Sequence, residues 1–339
     1  MKPIFTALLA GAAFATTATV AAAQDVKLRV HHFLPERASL HAQFLVPWAE
    51  QVEAASVGKI DIELFAAMSL GGRPGDLYDQ AADGAVDIIL TLPGYTSGRF
   101  NQTEVFELPF MMPNSKASAG AFWDMIESDL QDGEYDETQI LAGWVHGPGV
   151  IHTKEPVEKL EDLAGMEMRG PTRIITDLLG EYGATPVGMP LPAIPENISK
   201  GVISGAVVPW EVVPSIKLQE LVTNHTEFDS DTALYTATFV LAMNLDSYDA
   251  MPDDLRAILD AETGKALSMN VGQMMSDWDA PSREISQGNN IITLSAEESA
   301  RWKDAAQPVY DRWIERAADE GFDGTTTIAK AQELIQANM

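Results

Sequence analysis

Apolar residues alternate with polar ones along 26–33, and β-branched Val26 and Val30 fall on the apolar side, so this stretch predicts a strand. The period then changes. From Ser39, the residues Leu40, Phe44, Leu45, Trp48 and Val52 recur at helical spacing up to a stop near Gly58. Alternation returns at 60–65, a Gly71-Gly72-Arg73-Pro74 turn leads to a helix at 77–82, and 86–90 predicts a buried strand. Strand–helix–strand–helix–strand order implies an α/β unit with parallel pairing.

The pattern then restarts with a helix at 122–130, a strand at 139–145 and a short strand at 165–169 ending at Gly170-Pro171. Helices follow at 174–182 and 195–200, then a strand at 202–208 and a long apolar strand at 236–243 that returns to the first unit. Residues 252–283 meet no strong breaker before Pro281 and predict one very long helix. Ser295 and Glu298 form a capping box opening the helix that carries Trp302, Val309 and Trp313, and a last helix covers 327–337. The expected fold is α/β with two lobes and a cleft between them. One lobe covers 24–147, completed by about 235–270. The other covers 148–234, completed by C-terminal segments, with 295–339 as terminal helices.

The first 23 residues carry a single charge, Lys2, then small apolar side chains ending in Ala21-Ala22-Ala23. That is the form of an export signal cleaved after about Ala23; the competing reading, a membrane anchor, is disfavoured by its Ala/Thr-rich make-up. The product would be a soluble exported protein without membrane insertion. Charge agrees with this: 50 Asp+Glu against 22 Lys+Arg leave a formal −28, which repels phosphate backbones and anionic bilayers. With no Cys there is no disulfide, thiolate metal site or cysteine nucleophile.

Catalytic motifs are missing from the chain. It contains no G-x-S-x-G elbow, H-E-x-x-H pair, Walker loop or G-x-G-x-x-G turn. His31 and His32 are neighbours on a strand and point to opposite faces, so packing or a ligand hydrogen bond is expected of them rather than a metal. Among fifty carboxylates, accidental acid pairs carry no specific meaning. No cofactor and no metal are expected.

Several segments in register carry a family resemblance. They include Leu28-Arg29-Val30-His31-His32-Phe33, Ser69-Leu70-Gly71-Gly72, Ala82-Asp83-Gly84-Ala85-Val86-Asp87, Phe106-Glu107-Leu108-Pro109-Phe110 and Asp162-Leu163-Ala164-Gly165-Met166-Glu167-Met168-Arg169. Gly183-Ala184-Thr185-Pro186-Val187 and Lys200-Gly201-Val202-Ile203-Ser204-Gly205 complete the set. In this order the chain resembles the extracytoplasmic solute-binding subunits of tripartite ATP-independent periplasmic (TRAP) transporters. The resemblance implies a monomer without enzymatic activity that delivers an organic acid to an ion-gradient-driven permease. It also implies a long helix crossing both lobes, matched by 252–283.

In that family the arginine ending the strand after G-x-K-x binds the ligand carboxylate, which here is Arg169. A guanidinium fork suits that task in a cleft short of water. Two further positions depart from the family: Gly149 stands where some members carry a second arginine, and Val208 where asparagine is usual. By the same resemblance, Thr91 and Tyr95 at the third strand's end, Phe33 at the first strand's end, Leu191, and Phe239 on the returning strand are cleft positions. Trp210 and Glu211 follow the strand at 202–208. Together they imply an apolar, aromatic-lined pocket around one carboxylate anchor, suited to a monocarboxylate with an apolar or aromatic body. If the aromatics instead cage a quaternary ammonium beside Glu211, a zwitterionic betaine-like solute fits. A periplasmic enzyme or a sensory binding protein on a similar two-lobed fold are the remaining alternatives. Arg73 is a reserve anion contact.

Overall fold

The computed structural model describes residues 26–339, and the expected export signal and its cleavage site lie outside them. The first lobe opens with β1 (Val26–His32), α1 (Val46–Ala55), β2 (Ile60–Phe65), α2 (Leu77–Ala82) and β3 (Ile88–Thr91). α3 (Ser115–Met125) and β4 (Thr138–Val145) close this part, with a π-helical extension, Ile126–Leu130, filling out the helix expected at 122–130. β1 pairs in parallel with both β2 and β3, as the alternating strand and helix periods require.

The second lobe follows with β5 (Gly149–Thr153), β6 (Glu167–Gly170), α4 (Arg173–Glu181), β7 (Thr185–Gly188), α5 (Ile194–Ser199), β8 (Gly205–Pro209) and β9 (Asn224–Phe228). β10 (Thr238–Asn244) then returns to the first sheet, inserted antiparallel between β3 and β4, giving the order β2-β1-β3-β10-β4. Every residue of β10 is buried, consistent with its unbroken apolar run.

The remaining elements are α6 (Leu245–Asp249), α7 (Asp253–Ala261), α8 (Lys265–Asp277), α9 (Asp279–Ile285), β11 (Asn290–Leu294), α10 (Ala296–Ala305), α11 (Gln307–Asp319) and α12 (Gly324–Ala337). β11 edges the second sheet, whose order is β11-β9-β5-β8-β6-β7. The single helix expected at 252–283 is therefore three. Gly264 has φ +84°, a left-handed value that ends α7's run and restarts α8. The second interruption, at Trp278, lies just before Pro281, which has no N–H to return to the preceding turn. α8 packs on α3 and β4 of the first lobe and α9 on the turn after β8 of the second, so the lobe crossing is made by α8 and α9.

Likewise the helix expected to carry Trp302, Val309 and Trp313 is two. Pro308 sits in the first turn of α11, where a missing N–H costs least. Ser295 does cap α10 by accepting the Glu298 N–H, but the Glu298 carboxylate turns instead to the Leu160 N–H and the Trp302 indole, so the capping box is one-sided. Among the described residues no helix is long and apolar enough to cross a membrane.

Candidate functional site

The ends of the strands face each other across the two lobes. Phe33 follows β1 and Leu92 follows β3; opposite them, Arg169 lies at the end of β6 and Val208 near the end of β8. Carboxyl ends of parallel strands are where open α/β sheets place their ligands, because the chain departs there into loops. Between them is a narrow cavity of about 420 Å3, counting the solvent at its mouth. It is narrow enough to demand a compact guest.

Of the residues singled out in the sequence, Phe33, Tyr95, Arg169, Leu191, Val208, Glu211 and Phe239 all border this cavity. Phe33 and Tyr95 meet edge to face at 5.3 Å, and Phe239 stacks on Trp144 at 5.7 Å, which fixes both rings from behind.

Arg169 is 2% exposed. Its Nε donates to the Met189 carbonyl at 2.9 Å and its Nη1 to the Val207 carbonyl at 3.0 Å. These bonds hold the guanidinium plane, and no carboxylate among the described residues forms an ion pair with it. A buried cation with neutral partners and no carboxylate paired to it is costly to maintain and is relieved by an anion.

Tyr95 joins the lobes, its phenol oxygen accepting the Leu191 N–H at 3.0 Å. The approach is close because Gly94 has no side chain: a Cβ there would meet Thr172 at 2.4 Å. Other bonds cross as well. Arg173 of α4 grips Glu104 at 3.0 and 2.9 Å, and Arg37 donates to the Ser215 carbonyl at 2.5 Å.

Glu211 is buried at the same boundary. The Ser39 hydroxyl donates to it, and its own N–H donates to Asp279 on α9 at 2.9 Å. Burial first and the neighbouring Asp279 second push the Glu211 carboxyl up to about 8, and burial pushes Asp279 up to about 7. Both shifts favour the protonated carboxyl, which makes Glu211 a weaker partner for a cationic guest than an ordinary carboxylate.

Three of the named positions are not on the cavity. Trp210 turns away from it: the indole N–H donates to Glu227 at 2.7 Å and the ring packs on His152 and His225 at 5.1 and 4.9 Å. Strand alternation would put Trp210 on the same face as Val208, but β8 ends at Pro209 and the chain turns there into a 310 helix, Trp210–Ile216, so that alternation no longer holds at Trp210. An aromatic cage built on Trp210 is therefore not formed. Thr91 is buried inside β3, one residue short of the opening. Gly149 lies behind the wall, because the Tyr235 ring takes the space a side chain there would need.

The expected reserve contact fares no better: Arg73 is exposed and paired with Asp76. His31 is engaged with Gln80 at 2.7 Å and His32 with His41 at 2.9 Å, so both are packing residues, as their strand position suggests.

Two cavity residues carry no signal in the sequence pattern. His146 accepts the Ala237 N–H at Nε2 and donates from Nδ1 to the Gly147 carbonyl, a neutral tautomer that burial holds at about 4. Tyr235 sits on the irregular stretch before β10, where no periodicity marks a side chain's direction.

Comparison with known proteins places this architecture. The family model for bacterial extracellular solute-binding protein, family 7, matches residues 30–316. A TRAP solute-binding protein from Rhodoferax ferrireducens T118, solved with copurified benzoate, is 47% identical with a TM-score of 0.90, over 92% of this chain and 98% of that one. A second, from an unidentified marine microbe, is described as specific for aromatic acid ligands and was co-crystallised with 3-hydroxybenzoate. It is 42% identical with a TM-score of 0.91, over 93% and 99% of the two chains. The ectoine/5-hydroxyectoine-binding periplasmic protein of Ruegeria pomeroyi is 24% identical over 80% of each chain. A match running from the first strand to α11, together with the two-lobed fold, shows that this chain belongs to the family 7 extracellular solute-binding proteins, the periplasmic binding subunits of TRAP transporters.

Proposed function

We propose that the mature protein, freed of residues 1–23 and working as a periplasmic monomer, captures an aromatic monocarboxylate and hands it to a TRAP permease without chemical change. The observation that carries this reading is Arg169, buried and without an acidic partner, on the wall of a small apolar and aromatic cavity. A carboxylate satisfies the guanidinium, and a ring fills the space between Phe33, Phe239 and Val208. A second carboxylate would be desolvated with no cation to meet it. The ligands named for the Rhodoferax ferrireducens and marine neighbours, benzoate and 3-hydroxybenzoate, support the same class. A zwitterion of the ectoine type fits less well, because Glu211 is a weaker partner for a cation than an ordinary carboxylate and Trp210 is turned away.

Thermal-shift measurements on the mature chain test this. Benzoate and 3-hydroxybenzoate should raise the melting temperature well above any rise from succinate, galacturonate or ectoine, since only a ligand of the native state stabilises it. A largest shift from succinate or galacturonate would sink the proposal.

A further inference from the structure

The Tyr235 hydroxyl has no hydrogen-bond partner although the residue is 1% exposed and borders the cavity beside Arg169. A buried hydroxyl is seldom left so, because the water it loses is not replaced. Its ring is not free to turn toward another acceptor. A Cβ on Gly149 would lie 2.0 Å from Tyr235 Cε1 and 2.2 Å from Cδ1, so the ring occupies a slot that exists only because residue 149 is glycine. The other side is braced by His146, which meets it edge to face at 5.3 Å. Burial raises the phenol's pKa, keeping the proton on the oxygen, and Arg169 is near enough to act on it electrostatically.

From this we infer that Tyr235 is a ligand-binding residue whose phenol donates a hydrogen bond to the same carboxylate that Arg169 binds, and that Gly149 is the positioning residue that makes room for it. This rests on the aromatic-carboxylate reading. The carboxylate is then held by one cation and one neutral donor, an arrangement that adds affinity for a single negative charge without inviting a second.

The test is calorimetry on the wild-type mature protein and on Tyr235→Phe, with benzoate, 3-hydroxybenzoate and 4-hydroxybenzoate as probes. Y235F keeps the ring in its slot and removes only the hydroxyl. We expect a loss of roughly tenfold or more, similar for all three probes, as a hydrogen bond to a charged group should give. The ligand-free melting temperature should not fall, because the hydroxyl makes no bond within the protein; a merely structural tyrosine would lower it. Gly149→Ala, which pushes the ring from its slot, should weaken all three probes too, and where it does not fold Y235F decides alone. Unchanged benzoate affinity in Y235F overturns the inference. A loss confined to the hydroxylated probes also overturns it, by assigning the phenol to the ring. A wild-type protein that takes none of the three overturns the reading beneath it, and this inference with it.

Discussion

At the scale of single residues, the site turns on how a buried cation is kept. Arg169 spends two of its donors on carbonyls, which orient the fork but cannot neutralise it. On the proposed reading, the ligand's carboxylate meets the rest of its charge. Arg169→Ala should therefore fold normally and lose about 2 kcal/mol or more of binding free energy for benzoate, the cost of a charge-assisted fork and of a carboxylate left unpaired. Arg169→Lys should also bind poorly, because an ammonium cannot bond both carbonyls and grip a planar anion. Calorimetry giving near-normal affinity for the alanine variant would remove Arg169 from the site. Tyr235 makes the contrasting case. Arginine at a strand end announced itself through its motif, whereas Tyr235 stands in an aperiodic stretch, and the only trace of its slot is a missing side chain at Gly149, 86 positions earlier in the chain, which sequence alone cannot pair with it.

At the scale of elements, what was legible depended on how well burial matched period. β1, β2, β3 and β10 alternate or run unbroken in apolar residues and were placed within a few residues of their observed bounds. β9 was not legible. Its Asn224-His225-Thr226 core is buried but polar, with His225 bonded to His152 at 2.7 Å and Thr226 to the Val157 carbonyl at 2.7 Å, so its satisfaction comes from neighbours distant in sequence. The expected long helix is broken for two local reasons, the left-handed Gly264 and the turn at Trp278 before Pro281, while α8 and α9 still link the lobes.

The same linking helices carry a pH dependence. Asp279 of α9 and Glu211 of the 310 helix after β8 share a buried boundary with Ser39 of the first lobe. Glu211 rises from an ordinary 4.5 to about 8 in the folded chain, so between those values the folded state binds a proton that the unfolded state has released. Stability from this group is complete below pH 4.5, falls as pH rises, and levels off above about 8. Glu211→Gln removes the titration. Chemical denaturation of the two proteins should show the variant losing less stability than the wild type between pH 5 and 8; parallel pH profiles would show that Glu211 ionises freely.

At the scale of the whole molecule, the cavity raises a question of access. Its walls come from both lobes, and the bonds from Tyr95 to Leu191, Arg173 to Glu104 and Arg37 to Ser215 tie those lobes together around it. With the lobes tied together in this way, a guest of one ring is expected to enter by the lobes parting, which makes an open arrangement a prediction. The chain crosses between the lobes near 146–149, near 229–237 and between α8 and α9, and rotation at these crossings separates the strand ends without unfolding either sheet. Closure then has a definite energetic origin. Joining the lobes buries Glu104 and Arg173 against each other, a pair only partly exposed, but it also encloses the Arg169 charge, so without an anion the gain and the cost oppose. On the proposed reading, a carboxylate paired with Arg169 removes that cost and so favours the joined arrangement. Small-angle scattering of the mature protein should accordingly show a smaller radius of gyration with saturating benzoate than without. In Arg173→Ala, where closing leaves Glu104 buried and unpaired, benzoate affinity should fall about tenfold or more although the residue lies outside the cavity. Identical scattering with and without ligand, together with unchanged affinity in that variant, would mean that the lobes are a rigid unit and that the ligand enters by another route.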